Sequence, residues 1–260
     1  MMKTYVVSSS LIFLSGCIHS VHAVEPDGRL FRSHRAWLER FDSTLLASRL
    51  ASEFGWESND AEPDLFVIEN ALRWGIPVNE DFAFGFQTLL PVKWAEGHDE
   101  EAEGFGDLEL RAGMMGRVSE QLRYGFAMNA VFDTADDPLL GDGAFVLRPI
   151  VGFRLDYHER FTFGLNLEYN FTPREEGLDD VSDLEIKFPL IFRLREELSL
   201  FVSYNQRWNL LEETDRQRIE FATSCAFGKD KEFEWSIGGE VPVTSEDFDC
   251  KWKTGVSWFF

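Results

Sequence analysis

The chain has 260 residues, 44% hydrophobic and 15% aromatic, with 25 Lys and Arg against 46 Asp and Glu for a formal net charge of -21. So acidic a chain would be repelled by nucleic acid, and its length suits one large all-β domain with no interdomain linker. No apolar run reaches the ~20 residues of a membrane-spanning helix, so a membrane protein of this sequence must cross as a closed barrel of strands.

The first residues have the pattern of a secretory signal: Lys3, an apolar stretch from Tyr5 to Ile18, then Val21-His22-Ala23 as a cleavage site, which gives a signal over 1–23. Leu14-Ser15-Gly16-Cys17 also fits a lipoprotein signal, in which Cys17 would become the acylated first residue. Cleavage after Ala23 is the preferred reading, because barrels more often take that route. Residues 24–44, with Arg32, Arg35, Trp37, Glu39, Arg40 and Phe41, are expected to be an N-terminal periplasmic extension or a partial plug.

From about residue 45 to 260 the dominant signal is period two, the mark of a strand with one apolar face. Phe161, Phe163, Leu165, Leu167, Tyr169 and Phe171 alternate with Thr162, Gly164, Asn166, Glu168 and Asn170. The same rule gives twelve strands, at 45–57, 65–76, 82–94, 107–118, 122–133, 145–157, 161–171, 183–194, 198–208, 218–227, 233–243 and 248–260. Most are longer than a globular strand of about five or six residues and match the nine to eleven or more that a tilted strand needs to cross a bilayer. The first is the weakest, since Ser48 and Ser52 dilute its apolar face.

The connections alternate between short ones, such as 78–81, 119–121 and 158–160, and longer ones, such as 95–106, 134–144, 172–182 and 209–217. Outer-membrane barrels have this rhythm of short periplasmic turns and longer outside loops. Trp74, Trp94, Tyr124, Tyr157, Tyr169, Trp208, Trp235 and Trp258 lie near strand ends, where interfacial girdles sit. The expected fold is therefore an antiparallel up-and-down transmembrane β-barrel of about 12 strands.

Lys253, Gly255, Trp258 and the terminal Phe260 fill the four places of a pattern that resembles the C-terminal signal read by the Gram-negative barrel-assembly machinery. The stretches Leu72-Arg73-Trp74-Gly75-Ile76-Pro77-Val78-Asn79-Glu80-Asp81-Phe82-Ala83-Phe84-Gly85 and Gly104-Phe105-Gly106-Asp107-Leu108-Glu109-Leu110 resemble a hairpin and a Gly-x-Gly-Asp-Leu motif of the MetA-pathway-of-phenol-degradation family of outer-membrane barrels. The resemblance would cover the chain from about residue 46 to 260. It implies a channel for hydrophobic or aromatic compounds, in the cell outer membrane, and brings no catalytic residues with it.

The polar registers would face the lumen and line a pore with Arg73, Lys93, Arg111, Arg117, Arg148, Arg154, Glu168, Glu185, Lys187, Arg193, Glu220 and Glu240. Charges of both signs there fit either a selective pore or a cross-strand ion-pair network that narrows it. The outside loops are acidic, with Glu96, Asp99, Glu100, Glu101 and Glu103, then Asp136, Asp137 and Asp142, then Glu175, Glu176, Asp179 and Asp180. None has calcium-loop spacing, so they are expected to be solvated and to meet lipopolysaccharide through divalent ions. Cys225 and Cys250 fall on apolar registers of non-adjacent strands, which disfavours a disulfide. No Ser-His or aspartyl constellation surrounds His98 or His158, so no catalytic, metal or cofactor site is expected. The function expected is a small-molecule channel, and the alternative is a non-conducting structural or surface-interaction barrel.

Overall fold

Side-chain alternation in these strands puts residues of one kind on each face of the backbone. The computed structural model describes residues 48–58, 63–79, 81–97, 100–158, 160–173, 181–229, 231–244 and 250–260. The expected signal with Cys17, the 24–44 extension, His98, Asp99 and the acidic residues from Glu175 to Asp180 lie outside the described residues.

The strands are β1 (Arg49–Ser58), β2 (Asp64–Asn79), β3 (Phe82–Gly97), β4 (Glu100–Phe105), β5 (Leu108–Arg117), β6 (Leu122–Phe132), β7 (Val146–His158), β8 (Phe161–Phe171), β9 (Ser182–Arg193), β10 (Leu198–Asn209), β11 (Thr214–Phe227), β12 (Phe233–Pro242) and β13 (Cys250–Phe259). Every pairing is antiparallel, each strand apart from β4 and β5 pairs with both of its neighbours round the sheet, and β1 pairs with both β2 and β13, which closes the sheet. Both β4 and β5 pair with β3, one with each half of it. They are thus the two halves of one stave, interrupted at Gly106-Asp107, and the barrel has the twelve staves expected.

The weak first strand is real, with Arg49 opposite Phe259 and Ser58 opposite Cys250 at its two ends. Beyond the ladder, the Phe260 amide donates to the Ser48 carbonyl at 3.3 Å.

The apolar register faces outward. Leu72, Trp74, Ile76, Phe86, Phe126, Phe153, Phe163, Val202, Ile237 and Trp258 are all exposed, while Arg73, Arg123, Arg154, Glu185, Glu220, Glu234, Glu240 and Lys253 are buried. A soluble sandwich would have the reverse arrangement, with its charged register in water. An apolar belt around a polar interior is stable in hydrocarbon. Aromatics thicken the belt at both rims. Trp74 meets Phe260 edge-on at 6.5 Å and Phe227 stacks on Phe233 at 5.5 Å by the short turns, while Tyr169 stacks on Phe171 and Phe132 packs on Phe145, both at 5.3 Å, by the loops.

Three expectations about connections need correction. The expected loop 95–106 is largely hairpin, because Gly97, at φ 143°, turns the chain straight into the alternating Glu101-Ala102-Glu103-Gly104-Phe105. The expected loop 209–217 is a tight turn at 210–213, with Glu213 at φ 55°, and Thr214 to Gln217 continue β11. Their outward polar side chains had suggested a loop, but they find polar partners: Tyr204 donates to Gln206 at 2.7 Å and Gln206 to Asp215 at 2.9 Å. Finally, β2 runs on to Asn79 past Pro77, where the register shifts in a bulge that tolerates the missing N–H. Cys225 and Cys250 are free thiols.

Candidate functional site

All twelve expected pore-lining residues fall on inward registers. Fixing charged groups inside a wall is costly unless each is paired and hydrogen-bonded. From β8 round to β13 the pairing is supplied by a chain of opposite charges. Lys187 lies 3.4 Å from Glu168 and 3.0 Å from Glu185, and Arg218 lies 2.6 Å from Glu185 and 3.7 Å from Glu240. Lys253 binds the Glu240 carboxylate directly and lies 3.9 Å from Glu220. Next to it, Lys251 and Glu57 meet at 2.7 Å across the seam between β13 and β1. This side of the lumen neutralises itself.

The wall from β1 to β7 differs. Arg117 pairs with Asp81 at 2.8 Å beside the short turns, and Arg154 with Asp156 at 2.9 Å. Arg148 is caught between Asp142 at 2.9 Å and Glu109 at 3.6 Å, and Glu109 also accepts from Asn129 at 2.8 Å. Arg73 donates to Gln87 from Nε at 2.9 Å and also from its Nη2. Arg111 has no carboxylate within salt-bridge distance among the described residues, and its Nε is shielded from solvent without a hydrogen-bond partner. Arg193 sits at the short-turn end of β9.

The loop between β6 and β7 folds against the inner wall, and sequence reasoning missed the residues that hold it. The buried Asp107 carboxylate accepts backbone N–H groups of Thr134 at 2.9 Å, Ala135 at 3.0 Å and Asp142 at 2.6 Å. Asp136 accepts the Phe105 N–H at 2.7 Å and returns its own N–H to the Phe105 carbonyl at 3.0 Å. Within the loop, Asp137 caps a 3-10 turn, Pro138–Leu140. Leu140 is fully buried against Ala95 and Ala102, with Leu65 and Ala135 beside them. From its inward register Lys93 donates to the Leu140 carbonyl at 2.7 Å.

Glycines make the approach possible. A Cβ on Gly106 would lie 2.8 Å from Lys93 Cε and 2.9 Å from the Leu140 carbonyl oxygen; one on Gly104 would lie 2.7 Å from an Asp136 oxygen, and one on Gly141 2.5 Å from Ala135 Cβ. The Gly-x-Gly-Asp motif is therefore the receptor of the loop. The available signal was this motif together with Pro138-Leu139-Leu140-Gly141-Asp142, an apolar group inside an otherwise polar connection.

At the terminal strand, Lys253 points into the lumen ion-pair chain, and Trp258 and Phe260 lie outward with their rings 5.3 Å apart. Gly255 opposes Glu53, whose Cβ and Cα would be 3.3 Å from an added methyl. The polar, glycine and aromatic places of the terminal pattern thus each have a local reason in the barrel.

No protein-family model matches the sequence, and no curated protein matches it significantly. Solved structures do share its architecture. The COG4313 outer membrane channel from Pseudomonas putida F1 superposes with a TM-score of 0.71 at 12% identity, over 83% of this chain and 96% of that one. The NanC porin gives 0.58 at 10% identity over 80% and 98%. The CymD monoaromatic hydrocarbon channel gives 0.56 at 8% identity over 84% and 89%. At these identities the likeness is one of fold.

Proposed function

We propose that the protein is an outer-membrane channel for small molecules, with its short turns, the start of β1 and the end of β13 on the periplasmic side. The observation that carries this reading is the closed barrel with an apolar exterior, a charged interior and one loop anchored against the inner wall near the long-loop mouth. A tethered loop narrows a mouth without sealing the barrel and sets which solutes enter. The fold relatives support it, since the COG4313 channel, the NanC porin and the CymD channel all superpose on it. The hairpin and Gly-x-Gly-Asp-Leu resemblance to the MetA-pathway barrels supports the same class. The terminal pattern adds the barrel-assembly machinery as a partner, and the acidic loop end adds lipopolysaccharide.

Reconstitution into a planar bilayer tests the reading. Discrete conductance steps from purified protein, heat-modifiable on a gel, are expected, and a folded barrel that is silent in every salt would overturn it. The second reading, a non-conducting structural barrel, is favoured by the ion-pair chain from Glu168 to Lys253, which could brace a filled interior. Silence in the bilayer is its signature.

A further inference from the structure

We infer that the lumen carries an anion path, and that the solutes this channel favours are small carboxylates; the inference rests on the channel reading above. The pairing registers place Arg49 opposite Arg73, Arg73 opposite Gln87, Gln87 opposite Arg111, Arg111 opposite Asn129 and Asn129 opposite Arg148. One inward row across six staves therefore holds four guanidiniums and two amides, and no carboxylate. At about 4.8 Å per strand the row is roughly 24 Å long. It starts at the first residue of β1, at the short-turn end, and finishes at the third residue of β7, at the loop end. Strand tilt thus makes it a ramp from one mouth to the other.

The row beside it is Gly75, Gly85, Gly113 and Ala127, each opposite the next. No side chain larger than a methyl stands on this strip, beside the donors along the middle of the ramp. Arg111 stands at the centre of the row as a cation without a carboxylate among the described residues. The neighbouring carboxylate, Glu109, is already engaged by Asn129 and Arg148. Across the lumen the Glu168 to Lys253 chain sets Lys187, Arg218 and Lys253 against four carboxylates at close range, so most of the charge there is paired. The acidic outer surface does not reverse this balance, since it is screened beyond about 8 Å at physiological ionic strength. Planar guanidiniums at strand spacing suit carboxylates, which they bind through two parallel N–H groups, and a solute can pass from one to the next without losing all contact.

The test is the reversal potential of the reconstituted full-length protein in a potassium chloride gradient, repeated with acetate in place of chloride. Wild type should prefer the anion in both salts. Arg111→Gln should lower the anion-to-cation permeability ratio severalfold and Arg111→Glu should invert it, with heat-modifiable migration confirming that both variants fold. Potassium preference in the wild type, or a ratio unmoved by both substitutions, overturns the anion path while the channel stands. Absence of current in any salt overturns the channel reading and the anion path with it.

Discussion

Asp107 holds Asp142 by the backbone: its Oδ2 accepts the Asp142 N–H at 2.6 Å, and the Asp142 carboxylate is thereby turned to Arg148 at 2.9 Å. Two acidic residues lie close together without repulsion deciding the outcome, because one binds an amide and the other a guanidinium. The β6–β7 loop is fixed to the wall through this relay.

Asp107→Ala removes the acceptor of three N–H groups, and each buried donor left unpaired costs about 1–3 kcal/mol. The loop should detach while the barrel persists. Larger and noisier conductance steps and faster proteolysis within 134–145 are expected, and steps of wild-type size would show that the loop does not restrict the mouth.

Gly106→Ala should reach a similar state by overpacking, at about 1–3 kcal/mol, because its methyl would press on Lys93 and on the Leu140 carbonyl. Gly55→Ala is the matched control, since its nearest neighbour would be 3.8 Å away. Proteolysis of the two variants side by side should show the loop loosened in the first alone.

Lys253→Met strips Glu240 of its directly bound cation, and breaking one side of a buried ion pair costs about 3–5 kcal/mol. Glu240→Met in the same chain should recover part of that loss, because an apolar pair of similar volume replaces a buried charge pair at little cost. Urea-induced unfolding from detergent micelles or vesicles measures both. A single substitution without effect would mean that the pair is freely hydrated.

Phe126→Arg places a charge on the outward face near the middle of β6 and should cost about 2–4 kcal/mol in a bilayer, against about 0–1 kcal/mol for Val118→Arg at the short-turn rim. Equal costs would contradict the position of the apolar belt.

The staves were legible because alternation is local: Phe161 to Phe171 states its own register without reference to any partner. The inward placement of Arg148 or Glu185 follows from the same rule. Partnership does not. Arg218 reaches Glu185 over the intervening β10, a contact set by side-chain length and barrel curvature that no spacing encodes. Asp107 was hidden for a similar reason, since its acceptors are satisfied by amides some thirty residues later. Thr214 to Gln217 looked like loop because outward polar residues mean solvent in a soluble protein, whereas at the rim of a membrane barrel they continue the strand.

The ladder between β1 and β13 joins staves from opposite ends of the barrel sequence, so it closes the longest loop in the fold and carries the largest entropic cost of any contact. Every partly assembled form therefore has two unsatisfied sheet edges, each able to recruit a foreign strand. Closure at Phe260 and Ser48 removes both edges in one step. The rate of that step, rather than the strength of any single pair within the wall, governs how long the chain stays open to misassociation.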